Sequence, residues 1–168
     1  MTSDKIKEII EGKRCPKCDS TELYELFYLR FKCANCYYRY TPNVIDDDFR
    51  VLRLFYSGYN AHQATKTMRC SYNKVYRRYM KFRQEILEYA DKKNIPKQPP
   101  ISEIRKIPKD KGLTGFKDFA RLKLSRISRI SKNHLPLYQR ELEFRYHYRN
   151  QDIKSLIYKI YLDALKQP

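Results

Sequence analysis

The sequence predicts a mainly α-helical chain carrying one small β module, and three observations predict it. Glycine is scarce, four in 168 residues, which leaves little of the positive-φ backbone that many tight turns require. Two Cys-x-x-Cys pairs, Cys15–Cys18 and Cys33–Cys36, lie close together near the start of the chain. From residue 49 onward, apolar residues recur at intervals of three and four, the spacing of one helix face.

Charge narrows the function classes. Lysine and arginine total 36 against 19 acids, a formal charge of +17. Self-repulsion of that size is offset by a polyanionic partner. Sixteen tyrosines among the cations suit phosphate contacts and base stacking. No apolar run approaches the roughly 20 residues of a membrane-spanning helix, and residues 1–11 are polar and mixed in charge, unlike a secretory signal. The expected location is the cytoplasm, in association with the nucleoid, with double-stranded DNA as partner and no membrane. A homodimer is a second expected partnership.

Residues 1–43 form the β module. Fourteen residues separate Cys18 from Cys33, enough for a strand out, a turn and a strand back. Leu23–Tyr28 and Arg30–Lys32 are rich in strand formers, and Tyr37–Tyr40 extends a third strand before Pro42. Each Cys-x-x-Cys turn points two thiolates at one ion, so Cys15, Cys18, Cys33 and Cys36 close a tetrahedron around one structural zinc with no open position. A redox pair would instead open a helix after a strand, a context missing here. Such knuckles favour glycine after the second cysteine, where this chain has Asp19 and Tyr37. The fifth cysteine, Cys70, reads as a small core residue.

Residues 44–93 read as a helix-turn-helix unit. Asp46, Asp47 and Asp48 read as the acidic first turn of a helix bearing Phe49, Leu52, Phe55 and Tyr56, ended by Ser57-Gly58. Asn60 caps a short helix over 61–68, Arg69-Cys70 turns, and Ser71 caps a long helix to about Lys93. Tyr72, Val75, Tyr79, Phe82, Ile86 and Tyr89 make its apolar face. The start of such a recognition helix enters the major groove. Tyr72, Asn73, Lys74 and Arg77 are therefore candidates for base or nearby phosphate contact, and Arg78 and Lys81 for backbone contact. The Tyr72–Tyr89 face and the last helix are the candidate dimer surfaces.

Residues 94–112 hold Pro96, Pro99, Pro100 and Pro108 among lysines and read as an extended basic linker. Residues 113–168 carry three helical segments. The first runs from Leu113 to about Ser131, with Phe116, Phe119, Ala120, Ile127 and Ile130. The second is opened by Pro136, and the third is capped by Asp152 and striped by Ile153, Leu156, Ile157, Ile160 and Tyr161.

With these segments in order, Gly115-Phe116-Lys117-Asp118-Phe119-Ala120-Arg121 and Leu135–Tyr146 (LPLYQRELEFRY) resemble the bacterial insertion-sequence transposases in which a zinc-ribbon head precedes an RNase H-like DDE catalytic domain. The matching segments cover most of the chain outside the linker. The resemblance implies transposon-end DNA as ligand and, for an active member, three acids holding two metal ions about 4 Å apart for strand transfer. This chain departs there. The linker stands where the sheet bearing two aspartates would lie, and Thr114 precedes Gly115 where the third acid would fall. The resemblance thus implies a truncated, non-catalytic relative that keeps DNA binding. The alternative is an active nuclease with another acid set, such as Asp46, Asp48, Asp110 or Asp118, or one completed by a second subunit. A weaker reading is an interaction module for RNA or protein.

Overall fold

The computed structural model describes residues 3–104, 106–107, 115–125 and 130–166. They are mainly helical, with one three-stranded antiparallel sheet. The chain divides into two compact units, 1–57 with 154–168, and 58–153.

In the first unit α1 (Ser3–Ile10) leads into the sheet of β1 (Leu23–Leu26), β2 (Arg30–Cys33) and β3 (Arg39–Tyr40), followed by α2 (Pro42–Tyr56). β2 is central, with Leu23 opposite Cys33 and Lys32 opposite both Tyr24 and Arg39. Phe27 and Tyr28, expected to continue the first strand, instead form the turn with Leu29, because the pairing closes at Leu26 and Arg30. Gly12 permits the close approach of α1 to the sheet: at φ +71° a Cβ there would lie 2.6 Å from the Phe31 ring.

Pro42 starts α2 one turn earlier than expected. Its fixed φ suits the first helical position, so Asp46–Asp48 lie past the first turn and do not cap it. Asp48 instead accepts a hydrogen bond from the Tyr161 hydroxyl at 2.8 Å. Tyr161 belongs to α8 (Ile153–Leu165), whose Tyr158 and Tyr161 meet Phe49 edge-on at 5.7 and 5.3 Å. Ile9, Leu52, Phe55 and Ile157 are also buried.

The described residues of the second unit form helices and no strand. Asn60 caps α3 (Ala61–Met68) through a reciprocal box: its side chain accepts from the Gln63 N–H, and the Gln63 side chain accepts from the Asn60 N–H. Ser71 caps α4 (Tyr72–Lys92) by accepting from the Lys74 N–H. Between them Arg69 ends α3 in the left-handed region, φ 50° and ψ 43°. A side chain there is strained by about 1–2 kcal/mol, of which the entropy of glycine returns part. Arg69→Gly is expected to stabilise this unit by roughly 0.5–1 kcal/mol, read as a higher denaturation midpoint.

Val75, Tyr79, Phe82 and Ile86 are buried as the spacing predicts. Tyr72, assigned to the same face, is instead 46% exposed and stacks on Tyr76. Cys70 is half-buried and does not belong to the core. The buried Tyr79 hydroxyl donates to the Tyr59 carbonyl at 3.0 Å.

The stretch expected as an extended linker is packed in its described part. Ile95, Ile101 and Ile104 are buried, and Ile101–Ile104 form one helical turn, α5. α5 shares a core with Phe116, Ala120 and Leu124 of α6 (Gly115–Leu124) and with Leu142 of α7 (Leu135–His147). The helix expected over 113–131 is described only as α6; Leu113, Ile127 and the adjacent residues lie outside the described residues.

α7 packs on α4 as well as on α6, so Arg140 through Arg145 are all buried. Of the candidate dimer face of α4, Val75, Tyr79, Phe82 and Ile86 are buried within the unit. Arg83 and Arg145 converge on Glu141, at 2.6 and 2.7 Å, and the Arg83 guanidinium lies 3.9 Å from the Tyr138 ring centre. Arg140 binds Glu143 at 2.6 Å and Asp91 at 2.5 Å. Glu143 and Gln139 accept the backbone N–H groups of Gln98 and Ile101, which fastens the former linker to α7.

Candidate metal centre and nucleic-acid interface

The two Cys-x-x-Cys turns are built alike. In the first, the Asp19 N–H donates to the Cys15 carbonyl and the Cys15 N–H to the Ser20 carbonyl; in the second, Tyr37 donates to Cys33, and Cys33 to Tyr38. Both turns need a left-handed residue after the second cysteine, and Asp19 and Tyr37 adopt it at φ 64° and 58°. Asp19 is held there by Lys5, at 2.5 Å from its carboxylate, and by Arg14, which donates to its carbonyl at 2.9 Å.

The turns bring the Sγ atoms of Cys15, Cys18, Cys33 and Cys36 within 4.8 Å of one another. Cys15 and Cys36 are 3.6 Å apart, and Cys18 and Cys33 3.5 Å. A disulfide requires about 2.05 Å, whereas the edge of a tetrahedron of sulfurs around an ion at about 2.3 Å is roughly 3.8 Å. The donor set fits a four-coordinate metal ion. Cys15 and Cys33 are fully buried. Burial pushes the Cys15 thiol up to about 12 against the lowering by the Cys18 and Lys17 N–H groups. Burial also raises Cys33, but there the N–H groups of Cys36 and Asn35 and the sulfurs of Cys18 and Cys36 prevail and bring it to about 7. A cation supplies the charge that makes all four thiolates stable together.

In the second unit, Asn73, Lys74, Arg77, Arg78 and Lys81 line one open groove of about 450 Å³ together with Ser71. Spacing by three and four puts them on a single face of α4. Four of the six lining residues are cations and none is an acid. Tyr72 does not line the groove. Ser71, read from the sequence only as a cap, does, because a capping residue sits at the mouth of its own helix.

Among the described residues the four cysteines are the only cluster of three or more potential metal ligands. Asp46, Asp48 and Asp118 join no such cluster, and Thr114 and Asp110 lie outside the described residues. No described helix is long and apolar enough to cross a membrane. Compared with protein-family models, with curated proteins and with solved structures, the chain matches none of them.

Proposed function

We propose that this chain binds duplex DNA through the amino-terminal part of α4, as a non-catalytic relative of insertion-sequence transposases. The observation that carries the reading is the acid-free groove of Lys74, Arg77, Arg78 and Lys81 beside Asn73. It opens a long helix that follows a short capped helix through a tight turn, which supports a helix-turn-helix reading. Arginine and asparagine side chains can make bidentate contacts to guanine and adenine edges, while lysines position the backbone. In this reading the ion held by Cys15, Cys18, Cys33 and Cys36 is one structural zinc, which folds a zinc ribbon. The net charge of +17 supports a polyanionic ligand, and transposon ends or a regulatory site are the expected targets.

Selection of bound duplexes from a random pool, read by gel shift, tests the proposal. An enriched motif is expected; uniform recovery of all sequences argues for backbone binding alone. A nicking assay in magnesium or manganese, run beside it, is expected to leave the duplex intact. Nicking that is lost on replacing Asp46, Asp48, Asp110 or Asp118 overturns the non-catalytic reading. Arg77→Ala is expected to cost about 1–3 kcal/mol on the selected site and to relax its specificity. An equal loss on every sequence, with a salt slope shallower by about one, marks Arg77 as a phosphate contact.

A further inference from the structure

The β1–β2 hairpin presents features that neither the metal nor the α4 groove uses. Its turn, Phe27-Tyr28-Leu29, is 90%, 92% and 59% exposed. Tyr28 and Leu29 sit in the left-handed region at φ 62° and 54°, where asparagine and glycine are the residues that fit a hairpin turn without strain. Large apolar side chains thus occupy a strained tip and stand mostly exposed among the described residues.

The sheet has two unlike faces. Leu23, Phe31, Cys33 and Tyr40 alternate onto the side that meets the metal and the core, with Phe31 stacked on Tyr40 at 5.8 Å. The opposite side carries Tyr24 beside Lys32 beside Arg39, and Leu26 beside Arg30, in cross-strand register. Tyr24 is 62% exposed. Tyr37, 69% exposed, has the Lys32 ammonium 5.1 Å from its ring centre. Within the strands no carboxylate lies on that face, since Glu25 pairs with Phe31 on the other.

Rings and cations alternating on an open sheet face are what unpaired nucleic acid needs: a π surface for each base and a cation for each phosphate. A duplex offers its phosphates to this face but keeps its bases stacked away from the rings. We propose that this face and its tip form a second nucleic-acid site, which takes unpaired DNA by stacking bases on Tyr24, Tyr37 and the tip aromatics while Arg30, Lys32 and Arg39 hold the backbone. The choice of DNA over RNA rests on the duplex reading of α4; the stacking chemistry does not. An anionic membrane would also attract cations and aromatics, but here Tyr24 lies beside Lys32 across strands and the Lys32 ammonium sits over the Tyr37 ring, which suits a base-and-phosphate ligand.

The test uses the full zinc-loaded chain, a short labelled oligothymidylate and a duplex of arbitrary sequence, followed by anisotropy and by quenching of tyrosine fluorescence. The wild type is expected to bind the oligothymidylate with quenching. Tyr24→Ala should weaken that binding about 10-fold, and Tyr24→Ala with Phe27→Ala and Tyr28→Ala more than about 100-fold, while duplex binding changes less than about twofold. Tyr24→Phe with Tyr28→Phe, which keeps the rings, should retain it. If the triple variant loses its zinc, Phe27→Ser at the exposed tip supplies the same readout. Unchanged binding by the triple variant, no binding by the wild type, preference for oligouridylate, or capture by phosphatidylserine vesicles in place of the oligonucleotide each overturns the proposal. Arg77→Ala separates the two sites. If it leaves duplex binding intact while the triple variant loses the single strand, the α4 reading fails and the hairpin site stands.

Discussion

Cys33→Ser is expected to abolish metal binding and to unfold the ribbon, the largest single effect available in this chain. Elemental analysis should find one zinc per wild-type chain and none in the variant. The magnitude follows from the size of the module. Between Cys15 and Tyr40 the buried residues are few, Cys15, Cys33 and Tyr40 among them, and three short strands cannot offset the entropy of ordering that stretch. Binding energy of about 10–16 kcal/mol at neutral pH is what such sites contribute to folding. Loss of the fourth thiolate leaves three ligands and an open position, which a structural site does not tolerate. Because the thiols must be deprotonated to bind, affinity falls as pH falls, and mild acid should release the ion from the wild type as well. The second unit holds none of the ligands and should keep its own unfolding transition. A metal-free wild type with a folded ribbon would refute the site.

Glu141→Ala should destabilise the second unit by about 3–5 kcal/mol, because it removes the carboxylate shared by two buried arginines. The charges of Arg83 and Arg145 would stay buried between α4 and α7. The contrasting variant replaces all three at once, Arg83→Met, Glu141→Leu and Arg145→Met. It is expected to be neutral or more stable than the wild type, since the desolvation of three charges disappears with their attraction. Chemical denaturation of both variants checks the pair. If the single and triple variants lose equal stability, the network contributes packing rather than charge compensation.

The same network predicts a pH dependence. Burial alone would raise the Glu141 carboxyl, but Arg83 and Arg145 outweigh it and hold it below the ordinary range. A carboxyl depressed in the folded state contributes stability that is fully present above its unfolded value, about 4.5, and is lost as pH falls through the lower folded value. Glu141→Gln should flatten that acid limb of the stability profile.

Much of the local structure was legible because its causes are local. The Cys-x-x-Cys spacing, the Asn60 and Ser71 caps, the Ser57-Gly58 stop and the 3.6-residue spacing of α4 act over a few residues, and all four appear where the sequence placed them. The errors share a different origin. Asp46–Asp48 looked like an acidic first turn, yet Pro42 began α2 sooner and Asp48 found its partner in Tyr161, more than a hundred residues away. The linker looked extended because prolines and lysines dominate it. Gln139 and Glu143 fasten its backbone, and the core of α6 and α7 takes Ile101 and Ile104. Glu141, Glu143 and Arg145 are ordinary surface residues by composition, and no periodic signal marks a helix covered on two sides.

The sequence by itself determined the four clustered cysteines, the helix limits of α3 and α4 and the cationic character of the α4 face, since cysteine spacing, capping and face periodicity are short-range properties of the chain. Tertiary structure alone decided that α8 closes the first unit, that α7 covers α4 with a buried ion network, and that one face of the sheet stays open beside its aromatic tip. Those outcomes depend on which apolar surfaces meet across long separations in sequence. That choice is governed by shape and by the pairing of charges that must lose water together.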